Sequence, residues 1–230
     1  MAESTGVGTP VYVLVHGIGM GRSVFRDLVD HLDGNAHVVA IDLPGYGEAP
    51  EPWRVLTMQR SADLVAAFLR RHVGIPAVLV GHSMGAQVVA EVASRHPSLV
   101  DRIVLVGPTV DPAARTALHQ IVRLLRDIAV ESPRVIFAGA REYIRAGPRL
   151  RTKFRAMLVH RPEDAFPRIT APALVLRGEH DLVCPVGWCR QVAAAIPDAR
   201  IAEVPGHGHE TMIRDAATAA RLIRAFSEQP

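Results

Sequence analysis

Apolar residues recur along this 230-residue chain in two alternating periods. Short apolar runs, several rich in β-branched residues, fall at residues 11–15, 37–41, 77–80, 103–106, 173–176 and 199–204, and runs of that length predict buried strands. Between them the apolar positions return every three to four residues. Phe25, Leu28, Val29 and Leu32 form one such set, and Leu64, Val65, Phe68 and Leu69 another, within a helix expected over residues 58–72. Val88, Val89 and Val92 mark a third helix, which Pro97 ends, and the stretches 186–196 and 216–226 supply two more. Strands that alternate with helices predict a doubly wound, mainly parallel α/β sheet, whose ligand sites lie beyond the carboxyl ends of its strands.

One segment breaks the alternation. Residues 109–170 carry helical patterns and no convincing strand, which predicts a small helical cap inserted into a core formed by residues 1–108 and 171–230. Ile121, Val122, Leu124, Leu125 and Ile128 form an apolar stripe there, and Ile136, Phe137, Tyr143, Ile144, Leu150, Phe154, Met157 and Leu158 extend it. The segment is basic, with twelve Arg and Lys side chains, among them Arg115, Lys153 and Arg168, against six carboxylates. An anionic small-molecule substrate and ordinary solvated helix faces both account for that excess.

Composition narrows the class. A formal charge of +3 without a Lys/Arg block interleaved with aromatic residues does not suggest nucleic acid. No apolar run reaches the roughly 20 residues of a membrane span, and residues 1–10 do not have the make-up of a secretory signal, so the expectation is a soluble, cytoplasmic protein. Cys184 and Cys189 are too few to frame a disulfide-dependent fold and are expected to be reduced. A metal reading of His180, Asp181 and Cys184 lacks a second ligand pair with metal-site spacing. No metal is therefore expected, and the patterns do not encode an oligomeric state.

The chemistry gathers where strands end. At residues 81–85, Gly-His-Ser-Met-Gly, an apolar run turns into helical spacing at Ser83, and the two glycines permit a sharp, strained turn. Such an elbow lifts Ser83 Oγ above the sheet edge and points the Met84 amide, at a helix N-terminus, into the same space. A serine hydroxyl needs a general base, normally a histidine oriented by a carboxylate. Asp181 follows the 173–176 run, and His207 and His209 follow the last one, in the chain order Ser, Asp, His.

Together with His16-Gly17-Ile18-Gly19, the loop of residues 42–47, Gly178-Glu-His-Asp181 and residues 205–209, the elbow resembles the successive signature loops of the α/β-hydrolase superfamily. The resemblance covers nearly all of the chain outside the cap. It implies Ser83 as nucleophile, His209 rather than His207 as base, Asp181 as acid, and the amides of Ile18 and Met84 as the oxyanion hole. It makes Asp111 the competing acid and gives His16 and His82 structural roles, while Glu179 and His180 read as solvated loop residues. It also implies a sheet of about six strands, because only ten residues precede the first apolar run and the N-terminal hairpin of many relatives is missing. Glu48-Ala49 stands where many relatives have Arg-Ser.

The activity implied is cofactor-free hydrolysis of a carboxylic ester or lactone through an acyl-enzyme, as in carboxylesterases and lactonases. The alternatives are hydrolysis of a carbon-carbon bond in keto acids, perhydrolase chemistry on the same triad, and a ligand receptor with slow turnover. His82 and Ala86 count against the carbon-carbon reading, whose members usually have asparagine and glycine there.

Overall fold

The computed structural model describes all residues except 33, 35, 117, 121–148, 214–215 and 230. Seven strands form one sheet: β1 (Ala2–Thr5), β2 (Val11–Val15), β3 (His37–Ile41), β4 (Ala77–His82), β5 (Val100–Val106), β6 (Ala173–Gly178) and β7 (Ala199–Val204). Their spatial order is β1-β3-β2-β4-β5-β6-β7, and every pairing is parallel except that of β1 with β3. The described α-helices are α1 (Arg26–Leu32), α2 (Met58–Phe68), α3 (Met84–Arg95), α4 (Leu150–Val159), α5 (Val186–Ala195) and α6 (Ala217–Ser227).

Alternate strand residues feed two cores, as the pleat requires. Val13, Leu79, Leu105 and Val175 face α2, α3 and α5, while Leu14, Val80, Val104 and Leu176 face α1 and α6. Central strands are covered on both faces, which is why they read as continuous apolar runs.

The sheet has one strand more than the six expected. β1 reads Ala-Glu-Ser-Thr and is mostly exposed, so no hydrophobic period betrays it. It is held by antiparallel pairing of Ala2 with Ile41 through Thr5 with Val38. A polar edge strand of this kind also resists pairing with other chains.

Within the expected cap, Met157 is buried and Leu150, Phe154 and Leu158 pack against the core, whereas Ile121, Val122, Leu124, Leu125, Ile128, Ile136, Phe137, Tyr143 and Ile144 lie outside the described residues. Several cap cations are engaged by protein groups. Arg115 pairs with Glu163 at 2.8 Å, Arg161 lies 3.4 Å from Asp164, and Arg149 donates to the carbonyls of Pro52 and Trp53. The buried Lys153 pairs with Glu51 at 2.7 Å and donates to the Gly45 carbonyl. No described helix is long and apolar enough to cross a membrane.

Strand order reverses around β2, with β3 on one side and β4 on the other, so the loops leaving β2 and β4 border a switch-point crevice. The pairing of Val15 with Gly81 sets the His16-Gly17 loop beside the corner at Ser83. Beyond the same edge emerge the loops that carry Gly107, Asp181 and His209.

Candidate active site

Ser83 sits between β4 and α3 with φ 54° and ψ −115°, and it is the one non-glycine residue with positive φ among those described. Such a conformation costs about 1–3 kcal/mol and persists only where its surroundings impose it. Here they do. The Ser83 amide donates to the Val106 carbonyl at 2.8 Å, and the Ala86 amide donates back to the Ser83 carbonyl at 3.1 Å as the helix begins. A side chain at Gly81 would place Cβ 2.5 Å from the Gly85 carbonyl oxygen, and one at Gly85 would overlap the Val15 carbonyl. Met84 opens α3, so its amide belongs to the first turn, where N–H groups have no intrahelical acceptor.

The loop after β2 is fixed by His16. The Leu43 amide donates to its Nε2 at 3.0 Å, so Nδ1 carries the proton and donates to the Gly17 carbonyl at 2.8 Å. Burial pushes the His16 imidazole down to about 4, which keeps it neutral in this role. Gly17 lies against the elbow, since a Cβ there would stand 3.2 Å from Ser83 Cβ, and Ile18 follows, buried.

Asp181 and His209 are brought together although they lie 28 positions apart. His209 Nδ1 donates to Asp181 Oδ2 at 2.9 Å, with both side chains almost fully buried. The other Asp181 oxygen accepts the Cys184 amide at 2.7 Å. The loop bearing His209 is tied back across the sheet by His82, whose Nε2 donates to the His209 carbonyl at 3.0 Å. Burial, reinforced by the neighbouring His209, pushes His82 down to about 3, and its Nδ1 has no hydrogen-bond partner among the described residues. The competing candidates sit elsewhere: His207 is half-exposed and donates to the Pro205 carbonyl, and Asp111 Oδ1 accepts the Ala113 amide to cap a short turn. Glu179 and His180 are exposed.

The metal reading of His180, Asp181 and Cys184 finds no shared site. The Asp181 oxygens take the bonds just given, the Cys184 thiol donates to the Pro108 carbonyl, and no three His, Cys, Asp or Glu side chains among the described residues form a group that could hold an ion. Cys184 and Cys189 are both free, with their sulfurs 3.2 Å apart, and burial pushes the Cys184 thiol up, toward the unreactive protonated form.

Two contributors escaped the sequence reading. Gly107, at φ 51°, packs on the bonded His209 and Asp181 side chains so closely that a Cβ would lie 2.8 Å from His209 Cε1 and 3.1 Å from Asp181 Oδ2. Arg177 is a buried cation at the end of an otherwise apolar strand, and that break in the run was the signal available for it.

Residues 12–221 match the family model described as the alpha/beta hydrolase family. Over 98% of this chain and 96% of its own length, a pimeloyl-[acyl-carrier protein] methyl ester esterase of Chromobacterium violaceum is 29% identical. A 2-(acetamidomethylene)succinate hydrolase of Mesorhizobium japonicum is 27% identical over 87% of this chain and 81% of its own. Among solved structures, a thermophilic esterase from Thermogutta terrifontis superposes with a TM-score of 0.83 at 23% identity, covering 98% of this chain and 92% of that one.

Proposed function

The chain belongs to the alpha/beta hydrolase family, and from that premise we propose that it is a serine hydrolase that cleaves a carboxylic ester or lactone of a small organic molecule through an acyl-enzyme. The observation that carries this reading is the buried 2.9 Å bond between His209 and Asp181, set at the same sheet edge as the strained Ser83 corner. The methyl ester esterase named above, alike over nearly its whole length, supports the choice of bond. Residues 109–170 are the cap over the site in this reading.

Ser83 Oγ attacks the acyl carbon while His209 Nε2 takes its proton. Asp181 holds Nδ1–H, fixes the tautomer and stabilises the imidazolium that forms. The amides of Met84 and Ile18 receive the oxyanion. Each such donor is worth roughly a hundredfold or more in turnover, because it is already aimed where charge develops. His209 then returns the proton to the leaving alkoxide, and water releases the acid by the same steps in reverse. None of this asks for a cofactor or a metal.

Hydrolysis of p-nitrophenyl butyrate tests the reading. Many turnovers per chain are expected, and a single stoichiometric burst would replace the enzyme with a slow ligand receptor.

A further inference from the structure

Arg177 is the penultimate residue of β6 and is 5% exposed. A guanidinium so placed is costly unless its donors are satisfied. Its partners are specific to one loop: Nε donates to the Cys184 carbonyl at 3.2 Å, and one terminal nitrogen donates to the carbonyls of Glu179 at 3.2 Å and Asp181 at 3.1 Å. The other terminal nitrogen pairs at 2.5 Å with Glu203 on β7, the strand that leads to the His209 loop. One planar fork thus ties the main chain at Glu179, Asp181 and Cys184 to the strand beside it. The Asp181 carboxylate in turn rests on the Cys184 amide and on His209, so the same backbone that Arg177 holds also aims the acid. Apolar packing holds only the far end of this loop, where Val183 and Cys184 are buried, whereas Glu179, His180 and Leu182 are exposed.

We propose that Arg177 is a positioning residue which holds the 179–184 loop so that Asp181 stays in line with His209, an inference that rests on the triad reading above. Arg177 touches no reacting atom and acts only through Asp181. A carboxylate that drifts by about 1 Å no longer orients its imidazole, and misplacement on that scale costs on the order of a hundredfold.

The test compares wild type, Arg177→Met and Arg177→Lys for kcat, KM, burst-titrated active sites and the pH profile of kcat/KM with p-nitrophenyl butyrate. Among the described residues, Asp181 and the neutral His82, 5.0 Å away between ring centres, are titratable groups that face the His209 ring. Loss of Asp181 alignment removes the charge that favours the imidazolium, so the ascending limb of the profile moves to lower pH. For Arg177→Met, kcat per titrated site is expected to fall about ten- to a hundredfold, with KM within about twofold of wild type. Arg177→Lys, whose ammonium cannot span three carbonyls, should fall between. A profile and a kcat per titrated site that match wild type would overturn the inference and leave Arg177 a purely structural residue. If Arg177→Met does not fold, the same readings on Arg177→Lys decide. Activity that survives Ser83→Ala would instead remove the triad reading, a separate result.

Discussion

The corner that holds Ser83 and the corner that holds Asp181 and His209 are built by different means. At the first, backbone geometry does the work: a serine at φ 54° is forced into place by two glycines that leave no room for side chains, and by the pairing of its amide with Val106. At the second, side chains do it. His209 and Asp181 meet across 28 positions through hydrogen bonds that recruit the Cys184 amide, His82 and Arg177. A local backbone device is written in consecutive residues, whereas a network of side chains is spread along the chain from His82 to His209.

The sharpest way to break the second corner is to remove its members. His209→Ala and Asp181→Asn should each lower kcat by about 10⁴-fold with an unchanged circular dichroism spectrum, and a loss below tenfold would take that residue out of the triad. Gly107→Ala attacks the same corner from the backbone. Both the positive φ and the 2.8 Å approach to His209 resist a methyl group, so kcat should fall about a hundredfold and stability by about 1–3 kcal/mol in denaturant melts.

A third prediction concerns the neutral histidines that brace the two corners. His16 and His82 are pushed from 6.5 to about 4 and about 3, so the unfolded chain binds a proton on each at pH values where the folded protein does not. Their contribution is therefore fully present above pH 6.5 and is lost as pH falls towards 4 and 3, at about 1.4 kcal/mol per pH unit for each. Denaturant melts between pH 7 and pH 4 should show this decline. His82→Gln should flatten it by about one proton, and an unchanged slope would show that His82 does not stay neutral on folding.

The smallest effect is expected at Gly74→Ala. This glycine shares the positive φ of Gly107, at 75°, but nothing lies within 4 Å of its added Cβ. About 1 kcal/mol of stability should be lost with kcat unchanged, which separates backbone strain from crowding of the site.

Much of this architecture was legible because buried parallel strands are apolar throughout and their loops bear unusual residues. Ser83, Asp181, His207 and His209 stand out as candidates because each lies in a loop that follows such a run. His207 and His209 could not be told apart by spacing, since both follow β7. The resemblance selects His209, and in the fold it is His209 that meets Asp181 while His207 turns to the Pro205 carbonyl. β1 was invisible because backbone pairing, not side-chain period, makes it a strand. Gly107 follows β5 directly, and its role depends on loops that arrive from β6 and β7. Arg177 immediately precedes the Gly178-Glu-His-Asp181 loop, but the carbonyls it binds carry no side-chain signature.

The most direct test of the central claim, that Ser83 carries the acyl group, is intact-protein and peptide mass spectrometry after brief exposure to a fluorophosphonate. A single adduct on the peptide containing Ser83, absent from a folded Ser83→Ala protein and slowed at least a hundredfold in His209→Ala, is the predicted result. An adduct on another residue, or ester hydrolysis that persists in Ser83→Ala, would contradict the account.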